Sequence, residues 1–404
     1  MKCGLLGRKL SHSYSPQIHG FLGNYSYELF EKEPEELEEF LKHGDFTGLN
    51  VTIPYKKAVI PYLDYLSPVA QKLGAVNTII RRSDGVLMGH NTDYYGFHYM
   101  LKKSGLDVKH KKVLVLGSGG TSNTATAVLE ELGAKVTVIS RTGENNYENL
   151  DQHRDARVIV NTTPVGMYPN TGTAPVEIEK FDDLEGVLDV IYNPSRTQLL
   201  LDGENLMLPT ENGLRMLIAQ AKQSAELFLS KALDEQIIDT IHHKLQLQME
   251  NIILIGMPGC GKTTVGKALA EITGRIFVDA DAKIEELAGK PIPEIFAQDG
   301  EEVFRDWETR ALIALGKQFG LVIATGGGCV TQLRNYPFLH QNGQILWLQR
   351  DIAKLPTEGR PLSQGADLSA MYEKRKKLYA AFADHIVSNN ASVADTVSEI
   401  LSCL

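Results

Sequence analysis

Residues 251–263 read NIILIGMPGCGKT, and the fold of the C-terminal part of the chain can be predicted from them. A mostly apolar run is followed by a loop that fits G-x-x-x-x-G-K-[ST], and a helical pattern then runs from Lys262 to Ile272. In such a loop the backbone amides point at phosphate oxygens, the lysine reaches the terminal phosphates, and the next hydroxyl binds Mg²⁺. The stretch therefore predicts a parallel α/β domain that binds ATP with Mg²⁺. The predicted ATP-binding residues are Gly259, Cys260, Gly261, Lys262, Thr263 and Thr264, and Thr263 is also a predicted metal ligand.

A second strand–glycine–helix pattern lies upstream, where residues 112–121 read KVLVLGSGGT. An Ala-rich helix is predicted to about Leu132, and the next strand reads KVTVIS over residues 135–140. This order is a βαβ unit with a dinucleotide-binding loop, whose helix N-terminus receives the pyrophosphate. An NAD site would want Asp or Glu after the second strand, whereas Arg141 can pair with a 2′-phosphate, so NADP is favoured. The predicted NADP contacts are Gly117, Ser118, Gly119, Gly120, Thr121, Ser140, Arg141, Thr142, Val190 and Gly213.

Composition excludes several classes of protein. The 404 residues suggest two or three domains, and a net charge of −9 argues against a general nucleic-acid-binding surface. The four cysteines have no metal-site spacing, which favours a reducing compartment. The N-terminus has no apolar run of signal-peptide length and no stretch is long enough to span a membrane, so we expect a cytoplasmic protein. Small-molecule substrates are the expected partners, and the oligomeric state stays open.

Seven short motifs follow one another through the first 220 residues, and no one of them is diagnostic alone. They are Ser11-His-Ser13-Tyr-Ser15, Gly48-Leu-Asn50-Val-Thr52-Ile-Pro-Tyr-Lys56, Gly74-Ala-Val-Asn77-Thr78, Gly89-His-Asn91-Thr-Asp93, Asn161-Thr-Thr-Pro-Val-Gly-Met167, Asp189-Val-Ile-Tyr192-Asn-Pro194 and Asn212-Gly-Leu-Arg-Met-Leu-Ile-Ala-Gln220. With the βαβ unit, the ordered set resembles shikimate dehydrogenase over about residues 1–245.

The resemblance implies a role for each matched position. Lys56 and Asp93 match the catalytic pair, and reduction of a ketone by hydride does require a proton donor for the developing alkoxide. Ser13 and Ser15 match hydroxyls that bind the substrate carboxylate. The family often has a second arginine after the one at position 141, and Gly143-Glu-Asn-Asn146 lacks it, so the NADP preference is expected to be milder. The other substrate-binding positions implied are Asn50, Thr52, Asn77, Tyr192 and Gln220.

The C-terminal segment resembles shikimate kinase, because five further motifs follow the glycine-rich loop in order: Asp279-Ala-Asp281, Phe304-Arg-Asp-Trp-Glu308, Thr325-Gly-Gly-Gly328, Arg360-Pro-Leu362 and Arg375-Lys-Lys-Leu-Tyr379. The resemblance implies that Asp279 lies near Mg²⁺ and that Asp281 binds the substrate hydroxyls and has a catalytic role with Lys262. Arg305 and Arg375 match a carboxylate clamp, for which the rigid guanidinium fork is suited. Gly327 would contact the substrate, and Arg360 would close over the ATP phosphates from a lid shorter than usual.

The fold expected is α/β in three parts. A substrate-binding and catalytic domain spans residues 1–100 and is completed by helices at about 212–245, an NADP-binding Rossmann domain spans 101–211, and a P-loop domain spans 251–404. The segment 212–247 has apolar residues at helical spacing, and residues 242–250 form the expected linker.

The two halves fit one route, in which 3-dehydroshikimate is reduced to shikimate and shikimate is phosphorylated for chorismate and aromatic amino-acid biosynthesis. One alternative is a quinate/shikimate dehydrogenase with relaxed use of NAD and NADP. The other is a kinase half that binds ATP without turnover.

Overall fold

The computed structural model describes residues 1–10, 13–355 and 368–404, and all structural statements concern these residues. They divide into two compact units. Unit 1 comprises Met1–Val165, Ala174–Tyr192 and Asp202–Lys244. Unit 2 comprises Gly166–Thr173, Asn193–Leu201 and Leu245–Leu404. No helix in the described part of the chain has the length and apolar character needed to cross a membrane.

The first sheet of unit 1 is mixed and six-stranded, with order β2-β1-β3-β5-β6-β4. The pairs β1–β2, β1–β3 and β4–β6 are parallel, whereas β5 runs antiparallel to both β3 and β6. A buried apolar cluster that includes Leu6, Leu49, Val51 and Ile79 packs against this sheet. Its strands and helices are β1 (Lys2–Gly7), α1 (Ser15–Leu22), β2 (Ser26–Glu31), α2 (Leu37–His43), β3 (Gly48–Val51), β4 (Tyr65–Leu66), α3 (Pro68–Leu73), β5 (Thr78–Arg81) and β6 (Leu87–His90).

The second sheet of unit 1 is parallel throughout, with order β11-β10-β9-β7-β8. Its central strands β7 and β9 contain buried runs of Val, Leu and Ile, as expected for a parallel sheet covered on both faces. The elements are α4 (Asp93–Ser104), β7 (Lys112–Leu116), α5 (Gly120–Glu131), β8 (Lys135–Ile139), β9 (Val158–Asn161), β10 (Gly186–Asp189), α6 (Gln198–Asn205), β11 (Thr210–Glu211), α7 (Leu214–Leu229) and α8 (Gln236–Met249).

The helical segment predicted over 212–247 forms two helices, α7 and α8. Ser230 ends α7 with a φ of 50°, a left-handed conformation, and its N–H donates to backbone carbonyls of the last turn. α7 packs on α4 and on α1, so the chain returns from the second sheet to complete the first. Of the expected linker 242–250, residues 242–249 lie within α8.

The sheet of unit 2 is parallel, with order β13-β14-β12-β15-β16. All five residues of β12 are buried, and the glycine-rich loop follows directly at the carboxyl end of this central strand. The elements are β12 (Asn251–Ile255), α9 (Lys262–Thr273), β13 (Ile276–Asp279), α10 (Ala280–Ala288), α11 (Ile292–Gln298), α12 (Gly300–Gly316), β14 (Leu321–Ala324), α13 (Tyr336–His340), β15 (Gly343–Gln349), α14 (Leu368–Phe382), β16 (His385–Ser388) and α15 (Val393–Cys403). The predicted α/β fold with parallel sheets, including the strand–loop–helix order at both glycine loops, is confirmed.

Candidate active sites

In unit 2 the carboxyl ends of the parallel strands open into a cavity of about 780 Å³. The glycine-rich loop forms one wall, and the rest of the lining comes from the start of α10, from α11, α12 and α14, from the loop after β14 and from the residue after β15. Most of the residues predicted for ATP, metal and substrate line this one cavity, although they are spread over more than 100 positions. Those lining it are Gly259, Gly261, Lys262, Thr263, Thr264, Asp279, Asp281, Arg305, Gly327 and Arg375.

Two predicted residues are not among the lining. The Cys260 side chain is buried beneath the loop, with 1% of its surface exposed, so only its backbone can face a nucleotide. Arg360 lies outside the described residues.

The loop that carries Lys262 is fixed by its backbone conformation. Gly259 and Gly261 have positive φ values of 85° and 100°, which side chains disfavour. The Lys262 ammonium donates to the carbonyl oxygens of Gly256 at 2.8 Å and Met257 at 3.1 Å. The positive charge of Lys262 is therefore held against the backbone of the phosphate-binding loop.

Two carboxylates stand at the start of α10. Asp279 caps this helix by accepting a hydrogen bond from the Asp281 N–H at 3.1 Å, and the Thr263 hydroxyl donates to its other oxygen at 3.2 Å. This hydroxyl–carboxylate pair is the kind of oxygen donor set that Mg²⁺ takes. Burial, together with the neighbouring Asp279 charge, raises the pKa of Asp281.

The two arginines predicted as a carboxylate clamp flank the triple-glycine loop. Arg305 is buried and pairs with Glu308 at 2.9 Å and Glu301 at 3.0 Å. Arg375 donates to the Gly327 carbonyl at 3.1 Å. A Cβ on Gly327 would lie 2.6 Å from the Pro258 ring, so this position requires glycine for the loop to approach the phosphate-binding loop.

In unit 1, Lys56 and Asp93 form an ion pair with 2.6 Å between Nζ and Oδ2. Lys56 follows β3 of the first sheet, and Asp93 is the first residue of α4, which leads toward the second sheet. The side chains remain 28% and 16% exposed, so a bound molecule can reach both. A charged acid–base pair with partial access at the junction of two sheets is suited to proton transfer.

Beside this pair lies a connected set of buried amides and hydroxyls. The Tyr27 hydroxyl donates to Asn50 Oδ1 at 2.8 Å, and Asn50 Nδ2 donates to the Ser224 hydroxyl at 2.7 Å. The Thr92 N–H donates to Asn77 Oδ1 at 2.7 Å, and the Thr92 hydroxyl donates to Gln220 Oε1 at 3.4 Å. An amide oxygen can only accept a hydrogen bond and an amide nitrogen can only donate, so these contacts fix the orientation of the Asn50, Asn77 and Gln220 amides.

The remaining predicted substrate positions lie at the ends of nearby elements. The Ser15 N–H donates to the Ser13 hydroxyl at 3.2 Å at the start of α1. Thr52 follows β3, and Tyr192 lies edge-on to Tyr14 with 6.0 Å between the ring centroids. Burial raises the pKa of Tyr192, which keeps its hydroxyl protonated and able to donate.

The dinucleotide loop forms an open cradle at the carboxyl end of β7. Gly117 has a φ of 106°, and a Cβ on Gly119 or Gly120 would meet no atom within 4 Å, so the backbone can approach a pyrophosphate. Ser118 lies in this loop, and Thr121 lies in the first turn of α5. Gly213 packs on the Val190 carbonyl, where a Cβ would lie 1.9 Å from the oxygen, so these two predicted contacts are neighbours.

Arg141 is exposed at the end of β8, and the Ser140 hydroxyl donates to the Thr142 carbonyl to shape this turn. These features fit a dinucleotide that carries a 2′-phosphate.

Comparison with known proteins assigns both parts of the chain. The family described as "Shikimate dehydrogenase substrate binding domain" matches residues 5–79. A shikimate dehydrogenase (NADP(+)) from Clostridium beijerinckii is 36% identical over 259 residues, covering 59% of this chain and 96% of that protein. The chain belongs to the shikimate dehydrogenase family. The family described as "Shikimate kinase" matches residues 258–404, so the shikimate dehydrogenase is followed by a shikimate kinase domain.

Solved structures agree over the same N-terminal part. Shikimate dehydrogenase 1 from Peptoclostridium difficile has 39% identity and a TM-score of 0.55, covering 61% of this chain and 98% of that one. A chorismate mutase/shikimate 5-dehydrogenase fusion protein from Clostridium acetobutylicum has 36% identity and a TM-score of 0.57, covering 60% and 96%.

Some cavity residues of the kinase domain were not singled out from the sequence. Glu308 is 1% exposed, and its Oε1 atom has no hydrogen-bond partner among the described residues. Burial raises the pKa of Glu308, while the adjacent Arg305 opposes this. Glu308 is three residues after Arg305 on α12, a spacing at which side chains of one helix are neighbours. This spacing could have indicated the ion pair from the sequence.

Asn389 supports the phosphate-binding loop from the side. Its Nδ2 donates to the Cys260 carbonyl at 2.6 Å, and the Thr396 hydroxyl donates to its Oδ1 at 2.9 Å. Asn389 is 129 positions from Cys260 in the sequence, and only the fold brings the two together, so no local sequence signal marked it. The same is true of Tyr27 and Ser224 in the dehydrogenase part, although Ser224 is one helical turn beyond Gln220 on α7.

Proposed function

We propose that the chain reduces 3-dehydroshikimate to shikimate with NADPH and phosphorylates the 3-hydroxyl of shikimate with Mg-ATP. One observation carries the pairing of these reactions. The kinase cavity joins a phosphate-binding loop to two arginines suited to a carboxylate, and the dehydrogenase in the same chain belongs to a family named for a cyclic hydroxy-carboxylate. The product of the first reaction is then the substrate of the second, in aromatic amino-acid biosynthesis.

In the dehydrogenase, Lys56 and Asp93 act as the proton-transfer pair. NADPH supplies hydride to the ketone when it is bound, and the oxygen then requires a proton and a nearby positive charge. The Lys56 ammonium provides both, and Asp93 orients it at 2.6 Å. The substrate carboxylate and ring hydroxyls are bound by Ser13, Ser15, Asn50, Thr52, Asn77, Tyr192 and Gln220.

In the kinase domain the protein positions the reactants and neutralises charge. Lys262 stabilises the transferred phosphoryl group, and Arg305 with Arg375 holds the carboxylate of shikimate. Asp281 orients the attacking hydroxyl, and its raised pKa suits a group that exchanges a proton. Arg360 is proposed to act on the phosphates as part of a lid.

Thr263 and Asp279 would hold Mg²⁺. No cluster of three or more His, Cys, Asp or Glu side chains is arranged for a metal within residues 1–10, 13–355 and 368–404. A metal at Thr263 and Asp279 would therefore take its other ligands from water and phosphate oxygens, which is how Mg²⁺ usually binds beside nucleotides. We place the enzyme in the cytoplasm, acting on small molecules rather than on nucleic acid or membranes.

Replacing Arg141 with alanine is expected to reduce the preference for NADP⁺ over NAD⁺ by about tenfold or more, because a charged hydrogen bond to the 2′-phosphate is lost. The measurement is kcat/KM for both cofactors in the wild type and the variant. Arg154→Ala, which removes an exposed cation paired with Asp182, is the control and should leave the ratio unchanged. A wild-type ratio near one would instead favour a quinate/shikimate dehydrogenase with relaxed cofactor use.

The test of the function is a pair of assays on the purified chain. Shikimate should reduce NADP⁺, and shikimate should stimulate ADP release from Mg-ATP. Tight ATP binding without phosphoryl transfer would revive the alternative of an inactive kinase half, and absence of both activities would overturn the proposal.

A further inference from the structure

Arg350 lies at the carboxyl end of β15 in the kinase domain, and the mechanism proposed above gives it no role. It is the residue directly after β15, which pairs with β12 on one side and β16 on the other. The phosphate-binding loop follows β12, and the carboxyl ends of parallel strands meet at the same edge of the sheet. Arg350 therefore emerges beside the loop that binds the nucleotide phosphates.

The contacts of the guanidinium support this placement. Arg350 lines the kinase cavity, and its Nη1 lies 3.8 Å from the position that a Cβ on Gly261 would occupy. The Asn389 side-chain amide is nearer still to that position. Gly261 is the residue immediately before Lys262, so the guanidinium approaches the loop where α9 begins.

Arg350 differs from Arg305, which also lines this cavity. Arg305 forms ion pairs with Glu301 and Glu308. The Arg350 Nε atom, by contrast, is buried and has no hydrogen-bond partner among the described residues. Within those residues no carboxylate forms an ion pair with Arg350 either.

A guanidinium stays charged at any physiological pH. When it is partly buried, an anion that accepts hydrogen bonds from its N–H groups stabilises it. The carboxylates that line the cavity, Asp279, Asp281, Glu285 and Glu308, belong to α10 and α12 and to the residue before α10. Arg350 and Lys262 are the cations on the side of the phosphate-binding loop. The charge distribution leaves Arg350 available for an anionic ligand bound to that loop.

We propose that Arg350 is a nucleotide-binding residue, whose guanidinium donates hydrogen bonds to the phosphate chain of ATP from the side of β15. The inference rests on the proposed ATP site of the kinase domain. It adds a further cation to Lys262 and the proposed Arg360, and the motifs of the sequence do not mark it.

The experiment compares Arg350→Gln, Arg350→Lys and the wild type in the full chain. Arg350→Gln should raise the KM for ATP and the Kd for ADP by about tenfold or more, since a charged hydrogen bond is lost. Arg350→Lys should recover part of the loss, because the positive charge is kept. The KM for shikimate in the kinase assay and shikimate-dependent reduction of NADP⁺ should stay within about twofold of wild type.

The matched control is Arg310→Gln, which removes the same charge from an exposed arginine that packs over Trp307 on α12. It should leave the KM for ATP unchanged. An Arg350→Gln variant with a wild-type KM for ATP would overturn the inference. Equal weakening of ADP and of uncharged adenosine would also overturn it, because the contact would then be with the base rather than the phosphates. Loss of shikimate-dependent ADP release in the wild type itself would instead count against the proposed kinase function.

Discussion

Replacing Lys56 with alanine is expected to lower kcat for NADP⁺-dependent oxidation of shikimate by about a hundredfold to ten-thousandfold, the range typical of a lost general acid or base. The Lys56 Nζ atom lies 2.6 Å from Asp93 Oδ2. Its ammonium group carries both a proton that can be transferred and a positive charge. Alanine removes the proton donor and leaves Asp93 without its ion-pair partner. Both effects raise the energy of a transition state in which negative charge develops on the substrate oxygen.

The control for this variant is Lys57→Ala at the adjacent exposed position. It should retain wild-type oxidation of shikimate, and ATP-dependent phosphorylation of shikimate should be retained by both variants. Steady-state kinetics of the two activities in the same preparation decide the matter. A Lys56→Ala protein with more than about a tenth of wild-type kcat would contradict the assignment of Lys56.

Replacing Lys262 with alanine is expected to lower kcat for phosphorylation of shikimate by about a hundredfold to a thousandfold, the usual cost of losing one preorganised charge that stabilises a transition state. The Lys262 ammonium is held at the loop by carbonyl oxygens at 2.8 and 3.1 Å, so its position is fixed before reaction. ADP release, followed with and without shikimate, measures the effect.

Lys267→Ala is the matched control, because Lys267 is on the same helix and exposed, with its ammonium over the Phe277 ring. It should phosphorylate shikimate as the wild type does. Both variants should oxidise shikimate normally, which shows that the chain is folded. Retention of kcat by the Lys262→Ala protein would argue that the loop binds nucleotide without taking part in phosphoryl transfer.

The parts of the fold that could be predicted are those with a local cause. The glycine loops at Gly117 and Gly256 each follow an apolar strand and precede a helix, and the structure has both in that order. The break between α7 and α8 could not be foreseen, because apolar residues keep helical spacing and no Gly or Pro interrupts them. Ser230 adopts a left-handed conformation, and the Leu233 N–H donates to the Glu226 side chain at 2.8 Å.

The candidate sites divide in the same way. Lys56, Asp93, Lys262 and Asp281 were marked by motifs, and the structure brings the members of each set to one place. The roles of these residues stay predictions. The hydrogen-bond partners that orient the substrate-binding side chains could not be predicted in this way. Asn50 and its hydrogen-bond acceptor Ser224, for example, are 174 positions apart. Only the tertiary fold brings such pairs together, so no local pattern could reveal them.

The most direct test of the central claim is a single reaction that starts from 3-dehydroshikimate with NADPH and Mg-ATP and contains only this chain as catalyst. NADPH oxidation and ADP release are followed together, with omission of NADPH as the control. Both products should form, and ADP release should require NADPH, because shikimate made by the first site is consumed by the second. Oxidation of NADPH without ADP release, or ADP release that is indifferent to NADPH, would contradict it.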